Sequence, residues 1–307
     1  MVGPPTSAAE VRTEIQTWLT RRQSGSQPTQ VAFYGGSFTA LPLSRQEELL
    51  TAAAPFLESG MVQSLRLSTR PDCMAEEQAA FLKAHRVATV ELGVQSMNDE
   101  VLAAARRGHT AAAAERAMTV LRQAGLETGI QLLLGLPGDS RASLRRTVER
   151  VIALRPHFVR IYPLLVLRGS GLAELYKKGW YTPLSLDEAV LLAAFMKKRF
   201  ELAGIPTARI GLQAGTELEA SLLAGPWHPA FGEIVSSRLM LHQTRRLMAQ
   251  VPQGSPVSLR ISSLDQSVFR GLKSASIRRL EQLGLWQRIT LRTDSEQQRG
   301  TVLLQSA

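Results

Sequence analysis

Two adjacent glycines follow an apolar run directly in Tyr34-Gly35-Gly36-Ser37-Phe38. Glycine tolerates positive φ and carries no side chain, so backbone groups of such a turn can approach a ligand closely, although an ordinary strand-to-helix turn uses the same pair. Ser68-Thr69-Arg70-Pro71-Asp72 closes the next apolar run, and Glu91-Leu92-Gly93-Val94-Gln95-Ser96 the one after it. A glutamate inside an apolar strand is costly to bury unpaired, so Glu91 either faces a polar barrel mouth or meets one of the many arginines. Arg107 stands twelve residues after Gln95, in Arg106-Arg107-Gly108-His109-Thr110. A guanidinium can grasp a carboxylate through two parallel hydrogen bonds; near a helix end it more often faces water or the helix dipole. Gln131 is a lone amide in the apolar run Gly129–Leu134. It needs a partner, for which a ligand hydroxyl serves as well as a backbone group.

The single cysteine, Cys73, excludes an internal disulfide and any metal or iron–sulfur site built from several thiolates of this chain. No Cys–His arrangement is evident, and Cys73 reads as a small apolar filler. His85, His157 and His242 lack a carboxylate or second histidine at metal-ligand spacing and read as surface or satisfied core residues. His109 and His228 lie in glycine-containing turns and are better functional candidates. There is no P-loop and no complete GxGxxG fingerprint.

These residues need elements to position them. Ser7-x-x-Glu10, Ser44-x-x-Glu47, Ser96-x-x-Asp99, Ser185-x-x-Glu188 and Thr216-x-x-Glu219 read as helix starts, a hydroxyl capping an orphan N–H and an acid reaching back. Between them lie short apolar runs at Gln30–Gly35, Ser64–Ser68, Ala88–Gln95, Gly129–Gly135 and Phe158–Val166. Alternation at such intervals predicts an α/β fold with parallel strands and crossover helices, and a run such as Ile130–Leu134 suits a strand covered on both faces. Chemistry in such sheets sits at the carboxyl ends of the strands. After about residue 167 the rhythm changes. Residues 1–167 read as the barrel core and 168–307 as an α+β extension, with short strands near Val257–Ile261, Arg288–Arg292 and Thr301–Leu304 forming a small sheet.

With 307 residues, 44% of them hydrophobic and 20% charged, the composition is that of a globular chain. No window is long and apolar enough for a membrane span, and Met1–Glu10 lacks the pattern of a signal or transit peptide. A cytoplasmic location is the expectation. The net charge of +10 makes polyanions plausible partners, although the basic residues are scattered through amphipathic helices.

Taken in order, Tyr34–Thr39, Leu67–Asp72, Val90–Ser96, Arg107–Thr110, Gly129–Gln131 with Gly135–Gly138, and Arg160–Pro163 resemble the radical S-adenosylmethionine (SAM) enzymes. The branch most resembled is that of the catalytic subunit of the elongator complex, with the oxygen-independent coproporphyrinogen oxidases more distant. The resemblance covers about residues 7 to 250. It implies a partial TIM-type (β/α)6 barrel holding SAM and a [4Fe–4S] cluster at its mouth. By similarity, Gly35, Gly36 and Ser37 match the turn that binds the methionyl amino group, Gln95 a ribose contact, and Arg107 the partner of the methionyl carboxylate. Ser68 and Gln131 occupy further SAM-facing positions, where related enzymes carry acidic residues. Tyr162 and Pro163 match the strand end that lines the adenine pocket. The implied activity is reductive cleavage of SAM to a 5′-deoxyadenosyl radical that abstracts hydrogen from a substrate, with an electron donor as partner.

In that family a CxxxCxxC loop holds the cluster after the first strand, and this chain contains neither. The expectation is a barrel with its first strand absent, in a truncated or wrongly started chain without metal ligands of its own. Elongator-type tRNA acetylation is not expected, because little sequence remains after the resembling region. The alternative is a non-catalytic SAM- or RNA-binding protein, RNA being a candidate partner of so basic a chain.

Overall fold

The computed structural model describes residues 7–21 and 28–305. Met1–Thr6, part of the amino-terminal segment searched above for a signal or transit peptide, lie outside the described residues. The chain divides into two compact units, one of Met1–Ile161 with Phe200–Ala208, the other of Tyr162–Arg199 with Arg209–Ala307.

The elements run α1 (Ala8–Thr20), β1 (Gln30–Phe33), α2 (Leu43–Glu58), β2 (Ser64–Thr69), α3 (Glu76–Ala84), β3 (Val87–Gln95), α4 (Asp99–Ala104), α5 (Ala111–Gln123), β4 (Glu127–Leu134), α6 (Arg141–Leu154) and β5 (Phe158–Pro163). They continue with β6 (Val166–Leu167), α7 (Gly171–Lys177), α8 (Leu186–Leu202), β7 (Thr207–Ile210), α9 (Thr216–Ser221), β8 (Leu222–Ala224) and α10 (Phe231–Met248). The last are β9 (Val257–Ser262), α11 (Gln266–Arg270), α12 (Ala275–Gln282), β10 (Ile289–Asp294) and β11 (Val302–Gln305). Six strands form a sheet in the order β1-β2-β3-β4-β5-β7, curled as a half-barrel. The pairs from β1 to β4 are parallel, as the alternating helices and strands require.

Two of the five expected capping boxes form. Ser7 and Glu10 exchange hydrogen bonds at the start of α1, and Ser185 and Glu188 do so at α8. The other three helices start elsewhere. Pro42 precedes α2 and leaves Ser44 inside the first turn. Asn98 caps α4 through Val101 N–H, while the Ser96 hydroxyl meets Thr147 instead. Gly215 precedes α9, which makes Thr216 its first helical residue.

A second correction concerns the two faces of the sheet. Leu65, Leu67, Val90, Leu92, Val94, Ile130, Leu132, Leu134, Val159 and Ile161 are buried on the outer face, and α3 and α5 pack there against β3 and β4. Most intervening positions carry polar groups, and within Ile130–Leu134 the burial alternates and Gln131 supplies one such group beside Leu133. The polar face is satisfied as a network. Gln30 donates to Ser64 and Thr89 and accepts from Arg66 Nε at 2.7 Å. Arg66 Nη1 then reaches the Glu91 carboxylate at 2.9 Å.

Glu91 is fully buried. Besides Arg66 it receives Arg160 at 2.8 Å, the Tyr34 hydroxyl at 2.6 Å and Gln131 Nε2 at 2.9 Å. Burial alone would raise its pKa. Hydrogen bonds from Tyr34, Gln131 and Arg66, with the charge of Arg160, overcome that and hold it below the ordinary glutamate value. The Tyr34 phenol is pushed up to about 12, first by burial and then by its bond to Glu91. Both expectations for Glu91 are thus met together, a polar face and a cation. The Phe158 ring lies 5.1 Å from the Arg66 guanidinium carbon and 5.9 Å from that of Arg160. Gly129 makes room for that ring, because a Cβ there would stand 2.4 Å from it.

In the second unit, β6 and β8 pair antiparallel. The three carboxyl-terminal strands do form one sheet, in which β9 runs parallel to β10 and antiparallel to β11. Met240, Met248, Leu259, Ile261, Phe269 and Leu280 are buried in its core. Among the described residues no helix is long and apolar enough to cross a membrane.

Replacing Glu91 by Gln leaves two half-buried arginines without their counter-charge and should destabilise the chain by about 3 kcal/mol in denaturant unfolding at neutral pH. Because the folded-state pKa of Glu91 is depressed, its stabilisation is complete above the ordinary glutamate value of about 4.3 and is lost as pH falls through the folded value. Wild-type stability should therefore fall more steeply on acidification than that of Glu91→Gln; parallel pH curves would contradict the assignment.

Candidate ligand site at the strand ends

The sheet order sets the ends of β1, β2, β3 and β4 side by side, so Gly35, Ser68, Gln95 and Gln131 occur at or near the ends of four neighbouring strands. Gly35 has a φ of 107°, and Gly35 and Gly36 are both exposed. Past Ser37 the chain is pinned. The buried Thr39 hydroxyl lies 2.6 Å from that of Thr69 and donates to the Cys73 carbonyl at 2.7 Å. The Gln46 amide donates to the Leu41 carbonyl at 2.9 Å. A Cβ built on Gly36 would meet nothing within 4 Å, so the turn is held from behind and open at its glycines.

Gln95 ends β3 with a φ of 66°, a left-handed conformation at a non-glycine residue. The register with β4 shifts between Leu92 and Gln95. Its buried side chain folds back over Gly93, towards the end of β2. Ser68 is half-buried in β2. Gln131 has its partner within the protein: its Nε2 donates to Glu91, where the sequence left a ligand or a backbone group open. Tyr162 and Pro163 end β5 and fall in the second compact unit.

Arg107 does not end a helix as expected, since α4 stops at Ala104. It sits in the turn towards α5, between Arg106 with a φ of 51° and Gly108 with a φ of 73°. The turn is braced from β2: Arg70 holds Asp72 through two contacts, at 2.9 and 2.6 Å, and donates to the Gly108 carbonyl at 3.2 Å. Arg107 is half-buried, and its buried Nε has no hydrogen-bond partner. Its pKa is lowered, first by burial and then by the like charge of Arg70. Both causes favour occupation of this place by an anion, which would restore the hydrogen bond and offset the charge.

His109 is buried, and its Nε2 donates to the Val94 carbonyl at 3.1 Å, while Nδ1 is unpartnered. His228 is a turn residue, its Nδ1 accepting from Ala230 N–H at 3.0 Å. His85 bonds the Phe81 carbonyl and His157 accepts from Thr128 N–H, both satisfied as expected. Cys73 is half-buried, and burial followed by the Asp72 charge pushes its thiol pKa up, which suits a filler and not a nucleophile. The residues that sequence reasoning missed are Thr39, Thr69, Gln46 and the brace of Arg70. Asp72 stood two positions from Arg70 in a quoted motif, but nothing local showed its long-range use.

Residues 13–151 match the Radical SAM superfamily and residues 156–240 the Radical_SAM C-terminal domain. An uncharacterized protein of Methanocaldococcus jannaschii is 30% identical over 176 residues, 56% of this chain and 54% of that protein. The tRNA uridine(34) acetyltransferase of the same organism is 31% identical over 137 residues, 44% of this chain and 25% of that protein. Among solved structures, the archaeal Elp3 of Methanocaldococcus infernus with an N-terminal deletion superimposes with a TM-score of 0.63 at 24% identity, covering 76% of this chain and 58% of that one. The chain thus spans between a quarter and about a half of the two curated relatives, 25% and 54% of their lengths. The solved structure shares the fold, and with two adjoining family regions that together span most of residues 13–240 the chain belongs to the radical SAM superfamily.

Proposed function

We propose that this chain is the SAM-binding part of a radical SAM-type enzyme, with SAM held at the carboxyl ends of the β strands. The observation that carries the reading is Arg107, a half-buried guanidinium, set in a braced turn, whose Nε has no partner. In this reading Arg107 takes the methionyl carboxylate, and the open backbone of Gly35, Gly36 and Ser37 takes the amino group. Gln95 meets the ribose, and Ser68 and Gln131 provide further polar contacts. In the family, SAM becomes a source of the hydrogen-abstracting radical only on receiving an electron; the chain's own part is to orient SAM and shield it from water.

The residues present do not fit the family's [4Fe–4S] cluster. Cys73 is the only cysteine, and among the described residues no group of three His, Cys, Asp or Glu could hold a metal ion. Reductive cleavage would require three thiolates that these 307 residues do not supply, together with an electron donor. The single cysteine equally favours a second reading, a SAM- or RNA-binding protein without catalysis. For the partner we propose RNA, in keeping with the name of the archaeal tRNA relative and the net charge of +10. The acetyl transfer in that name is not carried over, because the match spans 25% of that protein.

Two variants separate binding from folding. Arg107→Ala should weaken SAM binding by about 2 kcal/mol, the loss of a charge-assisted contact, with an unchanged unfolding midpoint; calorimetric titration showing unchanged affinity would refute the role. Gly36→Val should fold normally, since a Cβ there meets nothing within 4 Å, yet should abolish SAM binding by filling the approach to the turn. Undiminished binding would remove the turn from the site.

A further inference from the structure

The positive charge is unevenly divided. The unit of Tyr162–Arg199 and Arg209–Ala307 has 18 Lys and Arg against 10 Asp and Glu, a net +8, whereas the other has 18 against 16, a net +2. The sequence impression of scattered basic residues thus hides a strong asymmetry. Within the charged unit, Arg238, His242, Arg245 and Arg246 share one face of α10, at i, i+4, i+7 and i+8. Arg238 and Arg245 are about 10.5 Å apart along the helix axis. All four side chains are exposed, and no carboxylate pairs with the three arginines among the described residues.

We propose that this stripe of α10, with Lys198 of α8, is a docking surface for the phosphate backbone of RNA. The proposal rests on the RNA reading above and is independent of the SAM site. His242 reports the cluster: partial burial, then Lys198, Arg246, Arg245 and Arg238, hold its pKa below the usual histidine value. Like charges at this spacing repel one another, and an opposing anionic surface relieves that repulsion. Guanidinium groups suit phosphate oxygens, which they bind in pairs. The chemistry of the face disfavours other occupants. Between Arg238 and Arg246 no large apolar side chain is exposed, whereas a membrane-surface helix needs an apolar face and a protein interface an apolar core.

The test uses the full chain and a fluorescein-labelled unmodified tRNA transcript, with binding followed by anisotropy across a salt series. The triple variant Arg238→Ala, Arg245→Ala, Arg246→Ala should bind at least about tenfold more weakly at 0.1 M salt, with a log–log salt slope shallower by about 2 to 3. Alanine favours helix, and the replaced side chains are exposed, so the unfolding midpoint should hold. The corresponding triple Arg→Lys variant, which keeps the charge, should retain the salt slope. An equal-charge control, Arg270→Ala, Arg279→Ala, Arg292→Ala, should lose much less affinity. Equal losses in the alanine triple and the control, or no loss in the alanine triple, would overturn the stripe while leaving RNA binding standing. No binding by the wild-type chain would overturn both, and tighter binding to phosphatidylglycerol vesicles than to the transcript would overturn the choice of partner.

Discussion

The Glu91 carboxylate joins the half-barrel from within. A curled sheet packed by helices on its outer face must line its inner face with something, and here mainly polar groups line it. Such groups are tolerable only when each has a partner. Glu91 lies on β3 and gathers Arg66 from β2, Gln131 from β4, Arg160 from β5 and Tyr34 from the end of β1. One buried charge therefore fixes five consecutive positions of the sheet order. The surplus cation is spread over aromatic surface through Phe158, for which Gly129 leaves room.

The strand ends inherit their geometry from that network and from braces behind the loops. Thr39 and Thr69 fasten the stretch after the double glycine to β2, and Arg70 fastens the Arg107 turn to the same strand. Both loops can thus be rigid without spending their own polar groups on the fold. Glycine backbone stays open at one, and an unpartnered guanidinium nitrogen remains at the other. This is the preorganisation that a small zwitterionic ligand needs, since little has to be ordered when it binds.

Much of this was legible in the sequence. The apolar runs gave every strand from β1 to β5 within a few residues, because glycine, proline and cap residues bound them. Glu91, Gln131 and Arg107 could be singled out because each is the wrong residue type for its surroundings. Their partners could not be named, because Glu91 and Arg160 are 69 positions apart and only the sheet register joins them. The same limit explains the caps: Ser96 and Asn98 are both competent, and the choice of Asn98 depends on Thr147 engaging Ser96 from α6. The run Ile130–Leu134 reads as apolar on both faces because Leu133 interrupts the alternation around Gln131. The charge asymmetry was legible too, since residues 168–307 taken in order already carry 18 Lys and Arg against 11 Asp and Glu.

The central claim is that the strand ends grip the amino-acid end of SAM. Its most direct test is calorimetric titration of the chain with SAM and, separately, with 5′-methylthioadenosine, which keeps the adenosine but lacks the amino and carboxylate groups. The account predicts that SAM binds tighter by about 1.5–3 kcal/mol or more, the worth of hydrogen bonds to charged groups, and that this advantage disappears in Arg107→Ala. Equal affinity for the two compounds, or no binding of SAM, would contradict it.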